Sequence, residues 1–230
     1  MTIQMDKVCR VYCINLRRRT DRLTHFLDVF PKTWFDKLAL LGATDGQNHV
    51  LSAQDRHMLR HANWNIDVGR GQWGCSFSHE AVWRTIVKEQ HALTLVLEDD
   101  AVFIGSDADL NTIVRSFLET KATVCLLGPS NHPENTPIHP HQFNDMVAPG
   151  LCRVKSNLGT MSYMLTLTAA QDLLAILENK GHYRAVDQVL NDYMKQRNAW
   201  ICSAPPQFKL NPALGSDIPS VMNWKPTMVL

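Results

Sequence analysis

The stretch Thr94-Leu95-Val96-Leu97-Glu98-Asp99-Asp100, residues 94–100, places three consecutive acids directly after a short apolar run. The run is continuous rather than alternating, which is typical of a central strand whose two faces are both covered. Apolar residues at helical spacing over 73–89 and 110–119 predict helices on either side of it along the chain. The sequence therefore predicts an α/β fold, with a mixed, mostly parallel sheet and helices on both faces.

Strands and helices alternate outward from this stretch. Further strands are predicted over 8–16, 36–41, 123–127 and 162–167. Further helices are predicted over 20–30, 52–60 and 168–179, with Thr20 as a candidate N-cap and Ser52 opening the second helix. No repeat, charge block or linker divides the chain, so we expect one domain over residues 1–230, with 205–230 as a tail of unassigned role.

The composition restricts the class of protein. Among 230 residues, Lys+Arg 23 and Asp+Glu 22 give a net charge of +1, which provides no field for holding nucleic acid. The longest apolar runs, 93–97 and 124–127, are far shorter than the roughly 18 to 20 residues of a membrane span. The polar first residues do not form a signal peptide, so we expect a cytoplasmic protein. Its six cysteines are then expected to be reduced and mostly buried.

The three acids mark the expected site, because ligands bind beyond the carboxyl ends of strands in open α/β sheets. Adjacent carboxylates repel each other, and a divalent cation relieves that repulsion. Oxygen ligands favour Mn²⁺ or Mg²⁺, which also bind the oxygens of a diphosphate. In an extended strand Glu98 and Asp100 face one side and Asp99 the other. The spacing is equally consistent with acids that only cap the following turn.

Four arginines surround the junction between the first strand and its helix, at positions 17, 18, 19 and 22. A helix N-terminus and guanidinium groups together suit a diphosphate. Arg19 and Arg22 are one turn apart and are the pair expected to act together. A solvated helix face explains any single one of these arginines equally well.

The segment Gly71-Gln72-Trp73-Gly74-Cys75-Ser76-Phe77-Ser78-His79 opens a helix with small residues that allow a ligand to approach the backbone. Cys75 and His79 are one turn apart and could share a metal, but without a third ligand a hydrogen-bonded helical histidine is favoured. Ser78 and His79 point about 100° apart on a helix, which argues against a nucleophile and base pair.

These segments, in this order, resemble glycosyltransferase family 25, which contains bacterial lipooligosaccharide galactosyltransferases and collagen galactosyltransferase domains. The resemblance covers about residues 8–192 and is carried by VYCINLRRRTDRL, GATDG, GQWGCSFSHEAVWRTIVKE, TLVLEDDAVF, SNLGTMSYMLTLTAAQDLL and AVDQVL. Two positions depart from the family pattern. Trp73 replaces a smaller aliphatic residue, and Ala185 replaces a proline that often precedes Val-Asp.

The resemblance implies a GT-A fold and inverting transfer of a hexose from a UDP-sugar, with UDP-galactose as first candidate, to a hydroxyl of a glycan or other acceptor. It also implies Mn²⁺, or Mg²⁺, at the acids, with Asp100 and Glu98 as ligands. The positions that it assigns to the donor are Asn15, Leu16, Arg19, Arg22, Asp45, Ser78, His79 and Asp99.

A carboxylate must also accept the acceptor's proton. Asp187 is the candidate, because it opens a predicted helix where a carboxylate is stabilised by the helix dipole. A simple helix cap is the alternative, and Glu98 or Asp99 could serve instead.

Two other functions stay open: an inactive module that binds a nucleotide sugar or glycan, and a metal-dependent hydrolase. The near-zero net charge argues against a nucleic-acid substrate for the latter. The long irregular segment 128–150 is expected to act as a lid on the acceptor side. A zinc cluster of His132, His139 and His141 is disfavoured there, because no acid or cysteine lies at ligand spacing.

Overall fold

The computed structural model describes residues 8, 10–62, 69–128, 130–131, 136–137, 145–153, 159–197 and 201–217. The strands are β1 (Arg10–Asn15), β2 (Leu38–Gly42), β3 (Leu93–Glu98), β4 (Ala101–Phe103), β5 (Val124–Leu126), β6 (Ser130–Asn131), β7 (Thr136–Pro137), β8 (Met146–Ala148), β9 (Leu151–Arg153), β10 (Ser162–Thr166), β11 (Ile201–Ser203) and β12 (Phe208–Leu210). The helices are α1 (Thr20–Val29), α2 (Ala53–Met58), α3 (Arg70–Glu89), α4 (Asp107–Glu119), α5 (Leu167–Lys180) and α6 (Val186–Gln196). Short 3₁₀ turns cover Lys32–Lys37 and Pro212–Leu214.

Within these ranges, one sheet contains eight strands in the order β2-β1-β3-β10-β5-β11-β9-β8. The strand β1 pairs in parallel with β2 and β3, and β5 pairs in parallel with β11. The strands β9 and β10 run against their neighbours, so the other six point in one direction. The predicted α/β class with a mixed, mostly parallel sheet is confirmed.

Helices cover both faces of this sheet. On one face, α3, α5 and α6 pack Trp83, Leu173 and Leu190 against Val96 of β3. The other face packs α1 and α4 against a second core that includes Leu95. Since neighbouring residues of β3 enter opposite cores, a continuous apolar run is needed there, and each such large side chain contributes roughly 1.5–3 kcal/mol on burial.

The ends of several elements agree closely with the sequence predictions. Ser52 caps α2 as expected, and it forms a reciprocal pair of hydrogen bonds with Asp55. In contrast, Thr20 is already inside α1, and Arg19 occupies the cap position without a side-chain hydrogen bond. Seven short strands were not predicted, because two or three residues carry little periodicity: β4, β6, β7, β8, β9, β11 and β12.

The described part of the C-terminal tail packs onto the sheet end that carries the acids. The strand β12 pairs with β4, which directly follows the acids. The backbone N–H of Asn211 then donates to the Asp100 carbonyl at 3.0 Å. The segment 211–217 therefore lies over the carboxyl end of β3. The predicted lid is described only in parts, and His132, His139 and His141 lie outside the described residues.

Candidate functional site

A cleft opens where the parallel strands β1, β2 and β3 end, as expected for an open α/β sheet. It holds about 100 Å³, less than the roughly 300–1,000 Å³ of typical small-molecule sites. The segment containing Ser216 and Asp217 forms part of its wall. The structure brings eight of the predicted site residues into its lining: Leu16, Arg22, Asp45, Ser78, His79, Glu98, Asp99 and Asp100.

Close contact between two loops shapes one side of the cleft. A Cβ atom at Gly46 would lie 1.8 Å from the Arg70 carbonyl oxygen, and one at Gly74 would lie 2.8 Å from the Thr44 oxygen. Only glycine allows these backbones to pack so closely. The Ser78 hydroxyl donates to the Gly74 carbonyl at 2.7 Å and accepts from the Thr44 N–H at 2.9 Å. Ser78 thus fastens the loop 43–47 to α3.

The acids begin on the last residue of β3 and continue into a turn. The strand ends at Glu98, so the side-chain alternation of an extended strand does not govern Asp99 and Asp100. Asp99 accepts hydrogen bonds from the Asn15 amide at 2.7 Å and from Arg22 at 2.9 Å. The same Arg22 nitrogen lies 3.1 Å from Asp100. One buried guanidinium therefore serves two carboxylates.

Asp100 is the acid with the least compensation. Burial raises its pKa to about 7, and the neighbouring Glu98 charge adds to the effect. Its Oδ1 atom is buried and makes no hydrogen bond to any described residue. Burial also raises the pKa of Asp99, although Asn15 and Arg22 oppose the shift. A cation at Asp100 would compensate the negative charge that a single shared arginine, Arg22, balances only in part.

Glu98 lies between a threonine and a histidine. The Thr160 hydroxyl donates to its Oε1 at 2.6 Å, and the His79 Nε2 atom lies 3.5 Å from the same oxygen. Burial raises the pKa of Glu98, but contacts with His79 and Thr160 outweigh it and place the pKa below its usual value. Glu98 is therefore a carboxylate at neutral pH.

His79 is fully buried on the inner side of α3. Its Nδ1 atom lies 2.8 Å from the Tyr163 hydroxyl, which also accepts a hydrogen bond from the Trp83 indole at 3.0 Å. The Nε2 atom faces Glu98 and makes no hydrogen bond within the described part of the chain. His79 is thus held through Nδ1 by Tyr163 and presents Nε2 to Glu98.

The arginines divide between the cleft and its surroundings. Arg18 lines the cleft and pairs with Asp45 at 2.8 Å and Asp217 at 2.7 Å. Arg19 is absent from the lining; it pairs with Asp217 at 2.5 Å, and its guanidinium also binds the Leu214 carbonyl. The sequence favoured Arg19 as partner of Arg22, whereas the structure places Arg18 beside Arg22 in the lining.

Asp45 is the second carboxylate, besides Asp217, that pairs with Arg18. Burial raises its pKa, but hydrogen bonds from Arg18, Asn48 and the Gln47 backbone outweigh burial and leave the pKa below its usual value. Asp45 is consequently ionised, and its charge balances Arg18.

Asp187 lies in the first turn of α6, as predicted, but not in the lining of the cleft. Its two oxygens accept hydrogen bonds from the backbone N–H groups of Gly159 at 3.1 Å and Gln188 at 2.7 Å. Gly159 directly precedes Thr160, which contacts Glu98. Asp187 therefore lies next to the loop that holds the acids, and its role as base stays a prediction.

The described residues also contain a possible metal-binding trio. One ligand atom each of Cys75, His79 and Glu98 lies within 4.8 Å of the others. Burial raises the pKa of the Cys75 thiol well above its usual value, and the Glu98 charge adds to the shift. The third ligand that the sequence pair Cys75 and His79 lacked thus comes from β3.

Sequence reasoning missed two residues of this site, Thr160 and Asp217, and it named Arg18 among four arginines but favoured Arg19 as the partner of Arg22. Thr160 follows a glycine in the segment SNLGT, whose only signal in the sequence is its resemblance to the family pattern. Asp217 had no local signal at all, because nothing in the sequence around it shows that it lies against Arg18 and Arg19. Its position depends on the pairing of β12 with β4.

The fold and this cleft define an α/β protein of the glycosyltransferase type. Residues 9–190 match the family described as Glycosyltransferase family 25 (LPS biosynthesis protein). The chain therefore belongs to glycosyltransferase family 25.

Two curated relatives show how far the likeness extends. A "Procollagen lysyl hydroxylase and glycosyltransferase" of Acanthamoeba polyphaga mimivirus is 32% identical over 117 residues, which cover 43% of this chain and 13% of that protein. A human "Procollagen galactosyltransferase 2" is 31% identical over 99 residues, which cover 40% of this chain and 16% of that protein. The chain thus matches about one seventh of the length of these relatives. Among the helices of the described ranges, none has the length and apolar content that a bilayer crossing requires.

Proposed function

We propose that this protein transfers a hexose, with galactose as first candidate, from a UDP-sugar to an acceptor hydroxyl with inversion at the anomeric carbon. The observation that carries the proposal is the buried Asp100 carboxyl, which shares Arg22 with Asp99, has an Oδ1 atom without a hydrogen-bond partner among the described residues, and lines the same cleft as Arg18. Membership of family 25 and the relative described as a procollagen galactosyltransferase support the choice of reaction and sugar.

The residues present fit a hard divalent cation, Mn²⁺ or Mg²⁺. Asp100 and Glu98 would hold it, because the free Oδ1 of Asp100 and the ionised Glu98 offer oxygen ligands on one side of the cleft. When bound, such an ion stabilises the negative charge that develops on the departing UDP. Asp99 is bound to Asn15 and Arg22, and its role here is to hold Arg22 beside Asp100.

The arginines and the loop 43–47 would bind the diphosphate and the rest of the donor. In the structure, Asp217 occupies the position between Arg18 and Arg19 that a phosphate group suits equally well. The cleft volume of about 100 Å³ is too small for a nucleotide sugar. Donor binding in this proposal displaces the segment 214–217, and phosphate oxygens replace the Asp217 carboxylate.

A carboxylate removes the acceptor proton during attack, which typically contributes about 10² to 10⁴-fold to the rate. Asp187 remains our candidate base, because it lies at the start of α6 beside Gly159 and outside the cation site. Glu98 and Asp99 are the alternatives; like Asp187 they already accept hydrogen bonds, but Glu98 is also a proposed cation ligand and Asp99 also pairs with Arg22. A proton acceptor outside the cation site keeps the two roles separate.

One assay tests the proposal. The protein is incubated with a panel of UDP-hexoses, Mn²⁺ and simple sugar acceptors, and UDP release and product are measured with and without EDTA. We expect EDTA-sensitive product formation, with inversion seen by NMR of the anomeric proton. UDP binding without turnover would support an inactive module, whereas UDP-sugar breakdown without sugar transfer would support a hydrolase.

A further inference from the structure

Three side chains with metal-binding atoms of different chemistry meet on the floor of the cleft. Cys75 and His79 lie one turn apart on α3, and Glu98 ends β3 opposite them. Their ligand atoms lie within 4.8 Å of one another. In a tetrahedral zinc site the ligand atoms lie roughly 3.3–3.6 Å apart, as follows from Zn–S and Zn–N lengths of about 2.3 and 2.0 Å. These separations would have to shorten by up to about 1.5 Å, within the reach of side-chain rotation, to complete such a site.

The orientation of His79 is a second and independent observation. Its Nε2 atom is buried, points at Glu98 and makes no hydrogen bond within the described residues. Its Nδ1 atom is held by Tyr163, whose hydroxyl oxygen also accepts from Trp83. In the tautomer whose Nδ1–H donates to the Tyr163 hydroxyl, the Nε2 lone pair faces Glu98, and metal binding would select this tautomer over the one whose Nε2–H faces the carboxylate. Histidines that bind metals are held in this manner by a partner on the other nitrogen.

The carboxylate is held as well. The Thr160 hydroxyl donates to Glu98 at 2.6 Å, which fixes the carboxylate beside the imidazole. A thiolate, an imidazole and one carboxylate form a ligand set that suits Zn²⁺ or Co²⁺, whereas Mn²⁺ prefers oxygen ligands alone. Three protein ligands leave a fourth position open to the cleft.

We infer that Cys75, His79 and Glu98 form a binding site for a thiophilic divalent cation such as Zn²⁺. On binding, the Cys75 thiol releases its proton to solvent and the sulfur coordinates the ion, with no change of oxidation state. The site is chemically distinct from the oxygen site at Asp100, but the two share Glu98. Where the proposed function holds, Zn²⁺ withdraws Glu98 from the Mn²⁺ site and inhibits transfer.

The test uses Co²⁺ as the spectroscopic probe on the full chain, with no sugar nucleotide present. We expect a thiolate-to-cobalt charge-transfer band in the near ultraviolet, together with the visible bands of a four-coordinate ion, and displacement of both by Zn²⁺. The variant Cys75→Ser is expected to lose the charge-transfer band. The variant Cys152→Ser is the matched control. It removes one thiol of the close pair Cys152–Cys202, whose sulfur atoms lie 3.2 Å apart, and it should leave the band intact because this pair is outside the cleft lining.

Two results would overturn the inference: no thiolate band in the wild-type protein at saturating Co²⁺, or a band that persists in folded Cys75→Ser. If that variant fails to fold, alkylation of the wild-type protein decides. Zn²⁺ should then slow the labelling of Cys75 at least tenfold relative to Mn²⁺, as measured by mass spectrometry. Equal labelling with both ions would refute the site.

The outcome is separable from the proposed function. A cobalt–thiolate band in a protein that transfers no sugar would leave the metal site standing and remove the reaction. Mn²⁺-dependent transfer without any such band would do the reverse. If both hold, Zn²⁺ should inhibit the wild-type protein at least tenfold more strongly than Cys75→Ser.

Discussion

The two sides of the cleft differ in how their charges are compensated. On one side, Arg18 and Arg22 line the cleft and Arg19 lies just behind them. These three arginines, which we call the arginine wall, pair with carboxylates or carbonyls of the chain itself. On the other side lies the floor, formed by Cys75, His79, Glu98 and Asp100. Two of its buried polar atoms, His79 Nε2 and Asp100 Oδ1, have no hydrogen-bond partner among the described residues.

This difference separates side chains that hold the fold together from side chains that are left to bind a ligand. Buried polar groups in native proteins are nearly always hydrogen-bonded, so a buried exception needs an explanation. The arginine wall follows the rule except at the buried Nε atom of Arg22, and it ties α1 and the loop before it to the acids after β3 and to the segment 211–217. The floor breaks the rule at His79 and Asp100, which is expected where a ligand completes the network.

Among substitutions in the arginine wall and the floor, the largest loss of stability is expected at Arg22. The variant Arg22→Leu leaves Asp99 and Asp100 buried without their cation, and the loss of one partner from a buried ion pair costs about 3 kcal/mol or more. Urea unfolding measures this loss. The control Arg197→Leu removes an exposed pair with Asp172 and should change stability by less than about 1 kcal/mol. Equal effects would show that the arginine wall is not structural.

The next effect concerns Asp100. The variant Asp100→Asn is expected to lower Mn²⁺-dependent turnover by about a hundredfold or more, because a main ligand of the stabilising cation is lost. Its thermal stability should stay the same or rise, because burial already disfavours the charged form of this carboxyl. Matched Asp99→Asn should instead lower stability, since it breaks contacts with Asn15 and Arg22. Retained activity in Asp100→Asn would remove Asp100 from the proposed site.

A smaller effect is expected at the segment that covers the wall. The variant Asp217→Asn weakens two ion pairs, with Arg18 and Arg19, that UDP must replace. Surface pairs contribute about 0.2–1 kcal/mol each, so weakening two of them should raise UDP affinity by roughly twofold to thirtyfold at most, as measured by calorimetry. The control Asp21→Asn removes an exposed partner of Arg19 on the solvent side and should leave UDP affinity unchanged. Weaker UDP binding in Asp217→Asn would contradict displacement of the segment.

The smallest effect is expected at Glu80, an acid outside the cleft lining whose charge is balanced by His182 and Arg84. Burial raises the pKa of Glu80, but His182, at 2.6 Å, and Arg84 outweigh it, so its pKa lies below the usual 4.5. Its ionised form therefore stabilises the fold above about pH 4.5, and this contribution is lost as the pH falls through the folded-state pKa.

Urea unfolding at about pH 7 and pH 3 checks the sign. The variant Glu80→Gln should flatten the acid-induced loss of unfolding free energy by an amount on the order of 1 kcal/mol. The same difference should persist with Mn²⁺ and UDP present, because Glu80 is outside the cleft lining. An unchanged pH dependence would show that this pair contributes no net charge stabilisation.

Much of the fold could be predicted because its long elements carry periodic patterns. The continuous apolar run of β3 and the helical spacing in α3 each reflect burial along one element, which local sequence records. The short strands β9, β11 and β12 could not be predicted, because each depends on partners that are distant in the chain. The capping of α2 by Ser52 was readable for the same local reason.

The residues of the site divide in the same way. The sequence by itself determined which chemistry is present: acids after a strand, arginines at a helix start, and a cysteine and histidine one turn apart. Only the tertiary structure decided how they meet, with Arg18 rather than Arg19 in the cleft lining, Glu98 as third partner of Cys75 and His79, and Asp217 over the arginines. The physical reason is that residue type sets what a side chain can bind, whereas long-range packing sets which partner reaches that side chain and how far the side chain is buried from water.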